Sequence, residues 1–280
     1  MLIELAIGDA YGAGFEYASN KIVRENNFGE QYIQHQRHTT ILPGQYTDDA
    51  QMAIAVAEAL IAEQHWNETI LAGYFLNAFK RDQREGYAKG FYDFLCSVET
   101  AEEFLERIKP DSEKSGAAMR ASPIGVLADE KQVIEYCALQ AKLTHNTPLG
   151  VNAALAAALM THYFIYDLGP KQDLGEYIAS KVSGDWNVPW KGKVGALGVD
   201  STRAAITAVI AENDLKSILL KCIAYTGDTD TVATIALAAA ACSKEVDKNL
   251  SQSLYDNLER GAYGYDYIAR LDKELMARVK

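Results

Sequence analysis

The sequence predicts an all-α protein folded as a single globular multi-helix domain, and three observations carry that prediction. Apolar residues recur at helical spacing along most of the chain, two segments are crowded with alanine, and no convincing run alternates apolar with polar residues as a half-buried strand does. At 280 residues and 49% apolar composition the chain can bury one large core, and no shift of composition divides residues 1–280.

From the N-terminus, the first distinctive segment is Gly8-Asp9-Ala10-Tyr11-Gly12-Ala13-Gly14-Phe15-Glu16. It looks like a glycine-rich nucleotide loop, yet it follows no recognisable strand and lacks the phosphate-loop spacing. As a loop motif alone it is weak, and its glycines are better read as allowing close helix packing, with Asp9 structural and Glu16 solvated. After the connection Leu42-Pro43-Gly44, Thr47-Asp48-Asp49 opens a helix marked by Ala53, Ala57, Leu60 and Ile61, and Ile70, Phe75, Leu76 and Phe79 mark the next. Further helices are predicted at 99–108, 130–143, 171–182, 201–212, 214–224, 247–259 and 264–278. Alanine dominates 153–159 and 233–241, where small residues almost all round imply central helices packed closely on their neighbours. Lys109-Pro110-Asp111 is a connection, and 184–198, with Trp186, Pro189 and Trp190, is a long irregular loop of the kind that shapes binding sites.

Composition excludes several classes. A net charge of −11 argues against a non-specific grip on nucleic acid or an anionic membrane, although it leaves room for a local basic pocket. Cys96, Cys137, Cys222 and Cys242 lie far apart without CxxC spacing, so neither a zinc site nor a disulfide framework is expected. The start Met1-Leu2-Ile3-Glu4 does not read as a secretory signal, and the apolar stretch 151–166 falls short of the roughly 20 residues of a membrane span. A soluble, cytoplasmic protein is the expectation.

Two stretches carry chemistry. Thr47-Asp48-Asp49 and Gly227-Asp228-Thr229-Asp230-Thr231 each set carboxylates and threonines at the mouth of an apolar helix. Taken alone, the first reads as an N-cap, because Thr and Asp satisfy free backbone N–H groups and complement the helix dipole. The second offers more carboxylates than capping needs. If the two helix starts converge, four crowded carboxylates repel one another, and an oxygen-only set of this kind suits hard divalent cations such as Mg²⁺ or Mn²⁺. Two such ions sharing the site would position a water or a substrate oxygen, which makes hydrolysis or group transfer the natural chemistry. Ser115-Gly116-Ala117-Ala118-Met119-Arg120 offers a hydroxyl, backbone donors and a guanidinium to a phosphate or carboxylate, or Arg120 holds an internal ion pair. His145, within Thr144-His145-Asn146-Thr147, is a ligand contact or a helix-flanking hydrogen-bonding residue, and Phe15, Tyr17, Tyr87, Trp186 and Trp190 are pocket walls or ordinary packing.

In this order, Gly8-Asp9-Ala10 with Gly12 and Glu16, Thr47-Asp48-Asp49, Gly116-Ala117-Ala118-Met119-Arg120 with Pro123-Ile124-Gly125, and Gly227-Asp228-Thr229-Asp230-Thr231 resemble the ADP-ribosylglycohydrolase family over nearly the whole chain. The resemblance implies an all-α fold with a central dinuclear cleft, in which Thr47, Asp48, Asp49, Asp228, Asp230 and Thr231 hold two Mg²⁺ or Mn²⁺ ions. It implies hydrolysis of the glycosidic bond between an ADP-ribosyl or related ribosyl group and a protein side chain or small acceptor. Glu16 is the implied general acid/base, Asp48 and Asp49 share in catalysis through a metal-held water, and Ser112, Ser115, Gly116 and His145 line the adenosine diphosphate side. The implied partners are an ADP-ribosylated protein or a small ADP-ribosyl substrate, with no membrane, and nucleic acid only as a modified substrate.

Two departures stand out. Ser115 replaces the Asn of many relatives and Glu113 would bring negative charge towards the phosphates, while 80–94 lacks the Asp-x-Gly-Asn-type sequence that carries the proposed base of the dinitrogenase-reductase-activating branch. The altered 112–116 loop motivates an alternative, a catalytically silent ADP-ribose-binding protein of the same fold. A purely structural role, as in lens-crystallin relatives, is disfavoured by the cost of unused crowded carboxylates.

Overall fold

In a computed structural model describing residues 1–62 and 65–279, the chain forms fifteen α-helices among the described residues. They are α1 (Leu2–Ala13), α2 (Asn20–Asn26), α3 (Asp48–Ala62), α4 (Glu68–Arg81), α5 (Lys89–Ser97), α6 (Ala101–Arg107), α7 (Gly116–Met119), α8 (Glu130–Lys142), α9 (Pro148–Ile165), α10 (Leu174–Lys181), α11 (Gly198–Ala211), α12 (Leu215–Ala224), α13 (Thr229–Cys242), α14 (Gln252–Asn257) and α15 (Tyr265–Met276). Two short 3₁₀ turns, Ser122–Val126 and Lys171–Asp173, complete the set, and the extended segments pair only through isolated bridges.

The alanine-rich segments are the inner helices, as their composition predicts. In α13 every residue from Thr229 to Ala240 is buried, and α9 is covered by α7, α8, α11, α13 and the Ser122–Val126 turn. α1 lies along α13, and glycine makes that approach possible. A Cβ on Gly12 would come within 2.4 Å of Asp230 Cα, and one on Gly8 within 2.6 Å of the Ala233 carbonyl oxygen, so only glycine lets the two backbones meet.

The close-packing reading of the glycine-rich segment 8–16 is the one the structure shows, since residues 8–13 are the second half of α1 and lie against α13. One expectation is corrected. The helix expected at 247–259 shortens to α14, since Asp247 is drawn into backbone pairing instead: its N–H donates to Asn213 O at 3.0 Å and its carbonyl accepts from Leu215 N at 2.9 Å. Within 80–94, α5 begins at Lys89 and carries Phe91 and Phe94.

Candidate active site

Several helices away from the acidic clusters are started by residues next to them in the chain. The side chains of Asn67, Thr100, Asp129, Thr147 and Asp214 each accept from an N–H in the first turn of α4, α6, α8, α9 and α12. The site helices differ. At the start of α3 the acceptor comes from α1: Asp9 Oδ2 takes the N–H groups of Thr47 and Ala50, each at 2.8 Å, and Asp9 Oδ1 takes the Thr47 hydroxyl, also at 2.8 Å. At α13, Asp228 occupies the cap position but makes no capping bond, and its Oδ2 accepts from Ser201 Oγ at 2.9 Å. The Asp228 carboxylate thus caps nothing, and the N-cap reading of the second cluster gives way; at α3 the Thr47 and Ala50 amides are met by Asp9, while Asp48 receives its own backbone N–H.

These helix starts line one cleft of about 620 Å³, within the range of small-ligand sites, roughly 300–1,000 Å³. Thr47, Asp48, Asp49, Asp228, Asp230 and Thr231 are all buried. One carboxylate oxygen from each of Glu16, Asp228 and Asp230 lies within 4.8 Å of the others. Asp49 Oδ2 and Asp230 Oδ1 are buried with no hydrogen-bond partner, a costly condition for oxygens of this kind unless a cation or a ligand meets them. Burial, reinforced by Asp9 and Glu16, holds Asp48 well above the ordinary carboxylate range. Burial together with Asp48 does the same to Asp49, and burial together with Glu16 and Asp228 does so to Asp230. Burial pushes Asp228 up to about 6, against the opposing effect of Ser201, and raises Asp9 to about 6 despite the donors from Ala50 and Thr47. A buried oxygen-only donor set carrying this much repulsion fits divalent cations; Asp48, Asp49 and Thr231 line the same cleft as Glu16, Asp228 and Asp230, whereas Thr47 is not among the described residues lining it.

Glu16 stands half-buried at the same centre. Its Oε2 lies 2.9 Å from Nε2 of the buried His35. Nδ1 of that ring accepts the N–H groups of Arg37 and His38, at 3.0 and 3.1 Å, so the ring hydrogen is on Nε2 and is donated to Glu16. Next in the chain, Tyr17 has a φ of 49° and donates its N–H to Gly227 O at 2.8 Å, fastening Glu16 beside Asp228.

The segment 111–116 runs beside 144–147, joined by the Asp111–His145 bridge and by Asn146 N–H to Pro110 O at 2.7 Å. Ser112, Ser115, Gly116 and His145 all line the cleft. Ser112 Oγ accepts from Lys114 N at 3.2 Å, and the Ser115 hydroxyl favours the charged form of Asp228. Glu113 is exposed and is not among the described residues lining the cleft, whereas Lys114 is. Arg120 makes no internal ion pair among the described residues and is held by neutral partners.

Aromatic walls come from Tyr17, Tyr87, Phe91 and Phe94. Phe15 and Trp186 are buried packing residues, and Trp190 lies outside the cleft; of the long 184–198 loop only Ala196 reaches it. Tyr87 donates from its hydroxyl to Gln51 Oε1 at 2.6 Å. Gly86 has φ +114° and a Cβ there would come within 2.3 Å of Asp48 Oδ1, so this backbone lies directly on the carboxylate. Sequence reasoning assigns no role to His35, Gly86, Phe91 or Phe94. A buried histidine in a polar loop, and glycine beside tyrosine ahead of an aromatic helix, are the only signals they leave.

The fold and its relatives place the molecule among hydrolases of glycosidic bonds. The chain belongs to the ADP-ribosylglycohydrolase family, whose description matches residues 1–280. It is 26% identical over 255 residues to the ADP-ribosyl-[dinitrogen reductase] glycohydrolase of Rhodospirillum rubrum, a match covering 87% of this chain and 84% of that one. It is 25% identical over 260 residues to human ADP-ribosylhydrolase ARH3, covering 72% of each. A solved structure described as an ADP-ribosylglycohydrolase-related protein complex superposes with a TM-score of 0.73 at 16% identity, over 100% of this chain and 96% of that one, which shows the shared fold.

Proposed function

We propose that the cleft takes the ADP-ribosyl group of a modified protein or small molecule and hydrolyses its glycosidic bond, with Thr47, Asp48, Asp49, Asp228, Asp230 and Thr231 holding two Mg²⁺ or Mn²⁺ ions. The observation that carries this reading is the convergence of the α3 and α13 starts, which leaves Asp49 Oδ2 and Asp230 Oδ1 buried and unpartnered in one cleft with Glu16. Family membership and the names of the two relatives support the ADP-ribosyl class of substrate.

Bound there, the cations would polarise the substrate or water oxygens that they contact. The chain's own residues supply the rest. His35 occupies Glu16 Oε2, which leaves Glu16 Oε1 as the atom that takes a proton from the attacking water or delivers one to the departing acceptor oxygen or nitrogen. Asp48 and Asp49 share in this chemistry by fixing the ions' place, and Asp9 holds the Thr47 hydroxyl in a set direction. Ser112, Ser115, Gly116 and His145 receive the diphosphate side, and Tyr87, Phe91 and Phe94 keep water from the bound group.

Glu16→Gln tests the assignment. Turnover of an ADP-ribosylated substrate should fall on the order of 10²–10⁴-fold with ADP-ribose affinity little changed. A variant that turns over at the parent rate removes Glu16 from the chemistry.

A further inference from the structure

Arg120 is the largest fully buried side chain in the described molecule, and no carboxylate pairs with it. Its Nε donates to Gln140 Oε1 at 2.7 Å, its Nη2 donates to Gln140 O at 3.1 Å and Thr144 Oγ1 at 2.7 Å, and its Cζ lies 4.3 Å from the centre of the Phe75 ring. A buried cation without an anion is costly, and it borders the cleft.

Thr144 Oγ1 also lies 2.7 Å from His145 Nδ1. A guanidinium only donates, so the hydroxyl accepts from Arg120 and must give its own hydrogen elsewhere. His145 Nδ1 is the acceptor within reach, which places the ring hydrogen on Nε2. The reverse arrangement, with Nδ1–H donating to Thr144, would strand the hydroxyl hydrogen and leave Nε2 a bare buried lone pair, two unsatisfied groups instead of one. Nε2 is buried and has no partner, and a Cβ on Gly116 would come within 3.3 Å of it. It is an idle donor in the wall of the cleft, two hydrogen bonds from an uncompensated positive charge.

We propose that Arg120 and Thr144 are positioning residues that fix His145 as an Nε2–H donor for an anionic oxygen of the substrate, the buried guanidinium supplying the positive potential that this anion meets. The proposal rests on the ADP-ribosyl reading of the cleft and identifies the anion as a diphosphate oxygen. The exposed Glu113 does not oppose it.

Replacing Arg120 endangers folding, so Thr144 is the residue to vary. Thr144→Val removes the hydroxyl at nearly constant shape and Thr144→Ser keeps it. Long-range ¹H–¹⁵N spectra of the parent at neutral pH should show His145 protonated on Nε2 alone. The valine variant should bind ADP about tenfold or more weakly, the scale of one lost hydrogen bond, with adenosine affinity unchanged and the serine variant like the parent. A parent His145 carrying its hydrogen on Nδ1, or a valine variant that binds ADP as the parent does, overturns the relay alone. A parent that binds neither ADP nor ADP-ribose contradicts the ligand class and the proposed function together.

Discussion

Asp9 and Thr47 are joined twice, amide to Oδ2 and hydroxyl to Oδ1, both at 2.8 Å. The helix that presents Asp48 and Asp49 is therefore started from α1, a contact spanning 38 residues of sequence. This borrowed cap couples the stability of the fold to the geometry of the site, because a remote carboxylate satisfies the backbone at the start of the helix that carries Asp48 and Asp49.

Asp9→Ala strands the Thr47 and Ala50 amides in a buried place and should cost about 2–5 kcal/mol, the scale of lost buried acceptors together with a lost cap. Asp9→Asn, which keeps one carbonyl oxygen, should cost less. Urea unfolding of both variants measures this, and a loss below about 0.5 kcal/mol for the alanine variant would show that α3 starts without Asp9.

Gly12→Ala pushes a methyl group against the Asp230 backbone, with no flexible side chain to give way. Overpacking of this kind costs about 1–3 kcal/mol, and because the strain falls on Asp230, Mn²⁺ affinity should weaken alongside the melting temperature. Gly90→Ala, where the added Cβ meets nothing within 4 Å, is the control and should leave Mn²⁺ affinity unchanged without lowering the melting temperature, since alanine favours the α5 helix.

Asp230→Asn should act with opposite signs in the two metal states. Burial, with Glu16 and Asp228 beside it, makes charge on Asp230 unfavourable, so the amide should raise the stability of chelator-treated protein. The parent at 100 times the Mn²⁺ dissociation constant should gain about 2.7 kcal/mol, and the variant should gain far less. Thermal unfolding with and without Mn²⁺ distinguishes these outcomes, and equal stabilisation of the two proteins would remove Asp230 from the ligand set.

His145 gives the fold a pH dependence of known sign. Burial and the Arg120 charge push its pKa down from 6.5 to about 3, so the unfolded chain binds a proton between these limits that the folded chain does not. Its contribution is complete above pH 6.5 and is lost as pH falls towards 3. Between pH 6.5 and 4.5 the parent should lose about 2 kcal/mol more stability than His145→Gln, as linkage at about 1.4 kcal/mol per pH unit requires. Parallel stability curves for the two proteins would show that His145 titrates normally in the fold.

Much of this was legible in the sequence, for physical reasons. Ala233 to Ala241 and Ala153 to Leu159 predict central helices because nothing but close packing rewards so little side chain, and Asp48, Asp49, Asp228 and Asp230 stand out because the two clusters together hold more carboxylates than capping needs. The same rules hid α1, since Gly8 and Gly12 lower helix propensity, and the packing against α13 that overrides it lies more than 200 residues away. Asp9 as a cap and His35 behind Glu16 are tertiary contacts with no local pattern. Phe91 and Phe94 were missed because their helix, α5, begins without a side-chain cap.

The most direct test is ADP-ribose release from arginine-, serine- and O-acetyl-linked ADP-ribosyl substrates with Mn²⁺, Mg²⁺ or chelator, the Asp48→Ala protein run beside the parent. The account predicts release from at least one linkage that chelator abolishes and the variant lacks. Release that persists in chelator and in the Asp48→Ala protein would contradict the metal-assisted site, and silence across the panel from a chain that binds ADP-ribose and Mn²⁺ would mark a binding protein that does not cut.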